Sequence, residues 1–469
     1  MTVPYWVQDA IFYQIFPDRF ANGDPKNDPV NAQPWGAPPT VRGYQGGDLR
    51  GVIEKFDYLL DLGINAIYFT PIFRASSTHR YNASDYFQVD PFLGTQRDFK
   101  TLLDVAHSNG VRVVLDGVFN HCGRGFFAFT DLLEFQGDSP YKDWFHVNKF
   151  PIDAYSGGDS YPANAARDYE CWWGYKGMPK FNFNTPAVRS YFLDVTRYWL
   201  QQGIDGWRLD VPNEIEVDSF WADFRRTVEA ENPDAYILGE IWDFNPPWVD
   251  ANHMHGLMNY PTRTAILDFI KGKTPALPSI ELIEKTILGY PRQNAYAMYQ
   301  LLGSHDTERL MTLAGNDINR VKLAYTLLFA LPGAPAIYYG DEIGLEGGKD
   351  PDCRRAFPWN GDAWNRDLRR FIQKLIQLRK EIDCLRRGEY IRLLDDGRGS
   401  YVFARRLGME NLVVALNNSK TRRNVQIPVG TLGLTDGRIL HNALGEEEYI
   451  VSGDILTVTI PPLGGLWLK

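Results

Sequence analysis

Very little in this chain is built for crosslinks, membranes or polyanions. Its 469 residues hold four cysteines, Cys122, Cys171, Cys353 and Cys384, with no CxxC pair and no close spacing. That argues against a disulfide framework and points to reduced thiols in a cytoplasmic protein. No run of about 18 apolar residues occurs, so no membrane-spanning helix is expected. The opening MTVPYWVQDAIFYQIF has no basic n-region and no long apolar run, so no export signal is expected either. Positive charge is in deficit: 49 Lys and Arg stand against 58 Asp and Glu, a net charge of −9. With no basic block, a nucleic-acid partner is not expected. No phosphate loop or dinucleotide fingerprint follows a strand-like run, so no organic cofactor is expected.

What is plentiful is aromatic surface, with 13 Trp, 25 Tyr and 27 Phe. A large core accounts for it; flat faces for stacking on sugars are the second reading. At 44% hydrophobic and 23% charged residues, the composition is that of a folded soluble protein. Short apolar runs alternate with amphipathic stretches. Eight runs read as strands: 10–16, 64–73, 111–118, 204–211, 235–242, 256–260, 297–304 and 334–340. Between the first two, Leu49, Val52, Ile53, Phe56, Leu59 and Leu60 keep helical spacing up to Gly63. Thr95 and Asp98 resemble a capping box, and Thr185 with Pro186 reads as N-cap and first helical residue.

Repeated βα units predict a parallel sheet, and eight of them without reversal predict a closed (β/α)8 TIM barrel. Residues 122–182 break the rhythm with Gly, Asp, Pro and aromatics in no helical period, and are read as a small inserted domain. After a helix near 366–383, short alternating runs predict a C-terminal antiparallel β-sandwich domain. The expected organisation is a barrel over 1–121 and 183–385, an insertion at 122–182 and a β domain over 386–469.

Active sites of such barrels lie at the strands' C-terminal ends. The fourth strand ends Arg208-Leu209-Asp210, which puts Arg208 and Asp210 on one side. An arginine there is expected to lower the pKa of Asp210 and keep it anionic; a structural ion pair explains the same two residues. The fifth strand ends in Glu240 between apolar and aromatic neighbours, where a raised pKa suits a general acid. The seventh ends in His305-Asp306, and the third exits through Asp116, Asn120 and His121. Paired carboxylates at one barrel mouth are the recurring device of sugar hydrolysis.

Four segments in order, DGVFNH (116–121), GWRLDVPNE (206–214), GEIW (239–242) and GSHD (303–306), resemble the signature segments of the alpha-amylase glycoside hydrolase family. MPKFN (178–182) resembles the extra segment of its cyclomaltodextrinase, neopullulanase and maltogenic amylase group. The likeness runs from about residue 9 to 360, and the C-terminal β region fits it.

The resemblance implies a retaining hydrolase of α-1,4-glucosidic bonds in cyclodextrins, maltooligosaccharides or pullulan, with transglycosylation as a side activity. Asp210 is then the nucleophile, Glu240 the acid/base, and Asp306 the grip on sugar hydroxyls. Arg208 orients Asp210. His121 and His305 donate to the sugar at the cleavage point, Tyr81 stacks on it, and His79 lies beside. Asp350 and Arg354 hold the next glucose units, and Asn213 and Glu214 line the acceptor side. A catalytically dead glucan-binding protein has no need of all three acids.

Asn22, Asp24, Asn27 and Asp28, with Gly46 and Asp48 downstream, supply clustered hard oxygen donors. The resemblance implies a structural calcium ion there; an Asx-rich turn with a helix cap at Asp48 is the simpler reading. Many members of the group carry an additional N-terminal β domain that helps build a homodimer. With the first strand near residue 10, that domain is not expected, and the homodimer loses part of its support.

Overall fold

In the computed structural model, which describes residues 3–158, 163–272 and 276–469, the apolar runs become eight parallel strands. They are β1 (Phe12–Ile15), β2 (Ala66–Phe69), β3 (Arg112–Gly117), β4 (Gly206–Leu209), β5 (Tyr236–Gly239), β6 (Gly256–Leu257), β7 (Tyr299–Gln300) and β8 (Ala334–Tyr338). Hydrogen bonding runs in the order β6–β5–β4–β3–β2–β1–β8–β7. A parallel bridge from Met258, just past β6, to Tyr299 in β7 joins the two edges and closes the expected barrel. Every residue of β1, β2, β4, β5 and β8 is buried. With helices on one face and the barrel axis on the other, such strands need apolar side chains throughout.

On the axis, Phe12 packs against Tyr299 at 5.2 Å and Tyr236 at 6.2 Å between ring centroids. Tyr68 meets Tyr299 edge-on at 6.2 Å and donates its hydroxyl to Asp116 at 2.6 Å. The axis thus changes from aromatic to charged at the strands' C-terminal ends. Strand register does the rest: Asp116 on β3 lies opposite Arg208 on β4, which lies opposite Leu238 on β5.

Helices α1 (Leu49–Glu54) and α2 (Phe56–Leu62) stand where one continuous helix was expected, because the chain turns at Lys55. Gly63 ends α2 at φ 95°, a left-handed conformation that only glycine takes cheaply. Helix α3 (Gln96–Ser108) carries the expected capping box, with Thr95 and Asp98 exchanging side-chain to backbone hydrogen bonds. Thr185 precedes helix α4 (Pro186–Gln202) but does not cap it. Its hydroxyl donates instead to the Asp143 carbonyl, tying the preceding region to the helix start.

Between β3 and α4 the chain forms helix Phe127–Phe135, several single turns and isolated antiparallel bridges, among them His121–Lys180 and Cys171–Pro179. The helix lies in the stretch read from the sequence as an inserted domain without helical period, and residues 159–162 of that stretch lie outside the described residues. Its sequence FAFTDLLEF has polar residues at Thr130, Asp131 and Glu134, but the exposed Phe127 and Phe135 blur the period. An aromatic cluster anchors the region: Phe145 stacks on Phe181 at 5.3 Å, and Phe181 packs on Phe192 of α4 at 4.9 Å.

Beyond helix α5 (Arg366–Glu381), two four-stranded antiparallel sheets face each other. One contains β9 (Glu389–Asp395), β10 (Ser400–Leu407), β11 (Glu410–Asn417) and β16 (Gly464–Leu468). The other contains β12 (Arg423–Pro428), β13 (Ile439–His441), β14 (Glu448–Ser452) and β15 (Ile455–Ile460). Val402, Val413, Ile427, Leu456 and Val458 from both sheets share one core, so the expected sandwich is present.

One buried arginine joins it to the barrel, and a second ties α5 to the same stretch of barrel backbone. Arg405 of β10 donates to Ala330 O at 2.7 Å and Gly388 O at 2.9 Å. Arg379 of α5 donates to Phe329 O at 2.6 Å and Leu331 O at 3.1 Å.

Candidate active site

One guanidinium organises the mouth of the barrel. Arg208 Nη1 donates to Asp116 Oδ1 at 2.8 Å and to Asp210 Oδ1 at 3.0 Å. Its Nη2 lies 3.0 Å from Glu240 Oε2, a charge contact without hydrogen-bond alignment. All four side chains are buried. Glu240 is also held by its neighbours: Oε2 accepts from the Val211 amide at 3.1 Å and Oε1 from the Trp242 indole at 3.1 Å. Trp242 in turn lies flat on Tyr260, with centroids 3.8 Å apart and planes 7° apart. The Val211 amide is aimed by an unusual backbone, φ 36° and ψ 52°, in a β-branched residue.

A second set of contacts converges from β1, β2, β7 and the loop after β2. Tyr81 donates to Asp116 Oδ2 at 2.8 Å, and its hydroxyl lies 2.7 Å from His305 Nε2. Gln14 Nε2 donates to His305 Nδ1 at 2.8 Å, which leaves the imidazole proton on Nε2. His305 Nε2 also lies 3.1 Å from Asp306 Oδ2. Arg354 bridges Asp306 at 3.3 Å and Asp350 at 3.0 Å, and donates to the His305 carbonyl at 2.9 Å. His79 lies near-parallel to Tyr81 at 6.0 Å, and Tyr81 to His305 at 5.2 Å. His121 Nδ1 pairs with Asn120 at 3.2 Å, while its Nε2 is buried without a partner.

The structure therefore brings Asp210, Glu240, Asp306, Arg208, His79, Tyr81, His121, His305, Asp350 and Arg354 into linked contacts at one barrel mouth. Asn213 and Glu214 sit just beyond, on a 3-10 turn after β4, where Glu214 is ion-paired with Lys180 at 3.5 Å.

Electrostatics correct one expectation. Burial pushes Asp210 well above the usual carboxylate range, the Glu240 charge adds to that, and the pull of Arg208 is smaller than either. Arg208 does lower Asp210, as the sequence argument holds, but burial and the Glu240 charge outweigh it and the net direction is upward. Burial also raises Glu240, and it raises Asp306 against Arg354 and Arg208 although 31% of the Asp306 side chain reaches solvent. Asp116 is held at about 6 by burial against the charge of Arg208 and hydrogen bonds from Tyr68, Arg208 and Tyr81. Asp210 and Glu240 titrate as a pair, so the pair and not either acid alone sets the proton inventory. The histidines are neutral: burial brings His79 and His121 down to about 3 and His305 well below its ordinary value. They act as hydrogen-bonding groups rather than cations.

Sequence reasoning gave no role to Gln14, Tyr68, Asp116, Val211 or Trp242. Asp116 had a signal, an acid at a strand exit; the others emerge only when strand register and ring contacts are known.

The Asn22–Asp28 loop folds back on Asp48. The Asp48 carboxylate caps α1 through Gly51 N at 2.6 Å and accepts from Asp24 N at 2.8 Å. Asn22 Nδ2 donates to Asp28 Oδ1 at 2.9 Å, and a Cβ on Gly46 would run into that same carboxylate. Burial raises Asp28, and Asp48 and Asp24 add to it. The side-chain oxygens of Asn22 and Asn27 are buried and unpartnered. Among the described residues no cluster of three His, Cys, Asp or Glu side chains is spaced for a metal. Amide oxygens left orphaned beside mutually repelling carboxylates nevertheless fit a hard cation.

Among known families, the catalytic domain of alpha amylase matches residues 14–374. A cyclomaltodextrinase of Geobacillus thermopakistaniensis is 42% identical over 98% of this chain and 77% of its own length. Neopullulanase 2 of Thermoactinomyces vulgaris is 40% identical, covering 100% of this chain and 78% of its own. Among solved structures, the cyclic α-maltosyl-(1→6)-maltose hydrolase of Arthrobacter globiformis superposes with a TM-score of 0.89 at 38% identity, covering 100% of both chains. No described helix is long and apolar enough to cross a membrane.

Proposed function

This chain belongs to the alpha-amylase family of glycoside hydrolases, and from that premise we propose that it cleaves α-1,4-glucosidic bonds of cyclodextrins, maltooligosaccharides or pullulan with retention of configuration. The observation that carries this reading is one buried guanidinium contacting Asp210 and Glu240 at 3.0 Å each from adjacent strands. Retaining enzymes hold their two carboxyls about 5–5.5 Å apart, a separation that two nitrogens of one guanidinium can span.

Glu240 gives its proton to the glycosidic oxygen as the Asp210 carboxylate attacks the anomeric carbon and the bond to the leaving sugar breaks. Glu240, now ionised, takes a proton from water as that water attacks the glycosyl ester and frees Asp210. Arg208 orients Asp210 through its aligned hydrogen bond. Asp306, fixed by Arg354, and the neutral His121 and His305 hold the sugar hydroxyls, with Tyr81 against the ring. Asp350 and Arg354 extend the grip to the next unit. Transfer to a sugar acceptor replaces water at the second step when a sugar lies against Asn213 and Glu214.

Calcium is proposed at Asn22, Asp24, Asn27, Asp28, Gly46 and Asp48, supported by the two orphaned amide oxygens. It would stiffen the loop before α1 and take no part in the chemistry. Four free thiols support a cytoplasmic setting.

The test is the anomer released first from maltotriose or β-cyclodextrin, followed by proton NMR. An α-anomer is expected, and a β-anomer refutes retention. Asp210→Asn and Glu240→Gln should each lower kcat by about three decades or more with the melting temperature kept; a variant retaining near-full activity removes that acid from the mechanism.

A further inference from the structure

The aromatic side chains beside His121 are not absorbed by this mechanism. Trp172 lies near-parallel to His121, 5.5 Å between centroids and 27° between planes. Trp173 lies near-parallel to Trp172 at 5.5 Å and 22°, and Tyr175 at 6.1 Å and 21°. The rings form a stair that starts at an imidazole of the catalytic mouth and ends in solvent.

Two properties of this stair have no explanation within the folded chain. Trp173 is 66% exposed, so the largest apolar side chain available is held in water. It is also held at φ 50° and ψ 25°, a left-handed conformation costly for any bulky residue, directly before Gly174, itself at φ 75°. Packing does not repay that strain, because the ring is open on its outer side. The indole Nε1 of Trp172 and Nε2 of His121 are both buried donors without a partner. Flat faces with idle donors at their edges suit one chemistry above others. A pyranose ring presents an apolar C–H face to stack and a rim of hydroxyls to accept.

We propose that Trp172 and Trp173 form a glucosyl-binding platform beyond the cleavage point, engaged by chains or rings longer than the sites at Asp306, Asp350 and Arg354 alone can hold. This rests on the α-glucan reading of the site and assigns it a length-sensing element. Trp172 supplies the inner step, covering His121. Trp173 supplies the outer step, reached only by substrates several glucose units long.

The test compares the intact protein with Trp173→Ala and Trp173→Phe on maltotriose and maltohexaose. The ratio of kcat/KM for maltohexaose over maltotriose should fall about tenfold in Trp173→Ala and return most of the way in Trp173→Phe. The melting temperature of Trp173→Ala should not drop, since relief of strain offsets the little packing lost. An unchanged ratio overturns the proposal, and so does an equal loss on both substrates with a lower melting temperature, which marks a structural residue. If the intact protein hydrolyses neither substrate, the catalytic reading falls separately. Calorimetric affinity for maltohexaose then decides the platform: Trp173→Ala must weaken it, and equal affinity overturns it.

Discussion

Replacing Val211 by glycine separates what the backbone does at the catalytic pair from what the side chain does. Val211 follows Asp210 directly, sits at φ 36° and ψ 52°, and points its amide at Glu240 Oε2 from 3.1 Å. A non-glycine residue held there costs about 1–3 kcal/mol, and Val is among the worst choices because its branched Cβ crowds the neighbouring carbonyl. Glycine removes that cost. It gives up about 1 kcal/mol of half-buried valine surface and another ~0.5–1 kcal/mol of chain entropy. The contributions nearly cancel, so the melting temperature should move by no more than about 2 °C.

Activity should not be so forgiving. The amide donor survives, but the bond that holds Glu240 is no longer pinned, and kcat should drop about tenfold while KM changes little. The amide hydrogen bond favours the ionised acid, so loosening it raises the Glu240 pKa. The alkaline limb of the kcat–pH profile should then move to higher pH. Val211→Asn, which tolerates the left-handed region, should keep most of the activity. The measurements are differential scanning calorimetry and a kcat–pH profile on maltotriose. A glycine variant with unchanged kcat and unchanged alkaline limb refutes the reasoning, as does one destabilised by several kcal/mol.

Trp242→Phe removes the other donor to Glu240, so its kcat–pH profile should also shift its alkaline limb upward; a downward shift contradicts the hydrogen bond to Oε1. Chelation should lower the melting temperature of the intact protein, and Asp24→Ala should abolish that sensitivity. Melting curves indifferent to both chelator and calcium reduce the Asn22–Asp28 loop to a turn. From MPKFN and the Asn213-Glu214 pair, short or cyclic maltooligosaccharides should be cut with higher kcat/KM than polymeric starch, with maltose a major product. A higher kcat/KM on soluble starch than on β-cyclodextrin reverses that expectation.

The barrel was legible because a strand buried on both faces leaves a continuous apolar run, and the chain writes eight of them between turn residues. Asp210, Glu240 and Asp306 were legible because each ends such a run. The Phe127–Phe135 helix was not, since Phe127 and Phe135 are exposed while Phe129 and Leu132 are buried, and nine residues with phenylalanine on both faces show the period only weakly. The Asp210 pKa direction was not legible either. Neighbours along a strand can be read from residue spacing, but desolvation depends on what the whole barrel removes from water. Gln14 shows the same limit: its position inside β1 follows from alternation, but its contact with His305 spans 291 residues of sequence.

The two buried arginines that face carbonyl groups have a consequence for how the molecule comes apart. Arg379 and Arg405 both donate to backbone carbonyl oxygens, and burial holds both below the ordinary arginine value. Their charge is satisfied by the oxygens that end helix Ile318–Ala330 and by Gly388, where the helix dipole supplies negative potential. Separating the sandwich from the barrel would strip Arg405 from Ala330 and open those carbonyls and the guanidinium of Arg379 to partial solvation. The two parts should therefore share one melting event rather than two, although each has its own hydrophobic core. A chain cut near residue 386 loses more than an appendage: it uncovers helix Ile318–Ala330, against which β16 and β11 pack. In a library of shuffled family domains, this sandwich and this barrel should be inherited together.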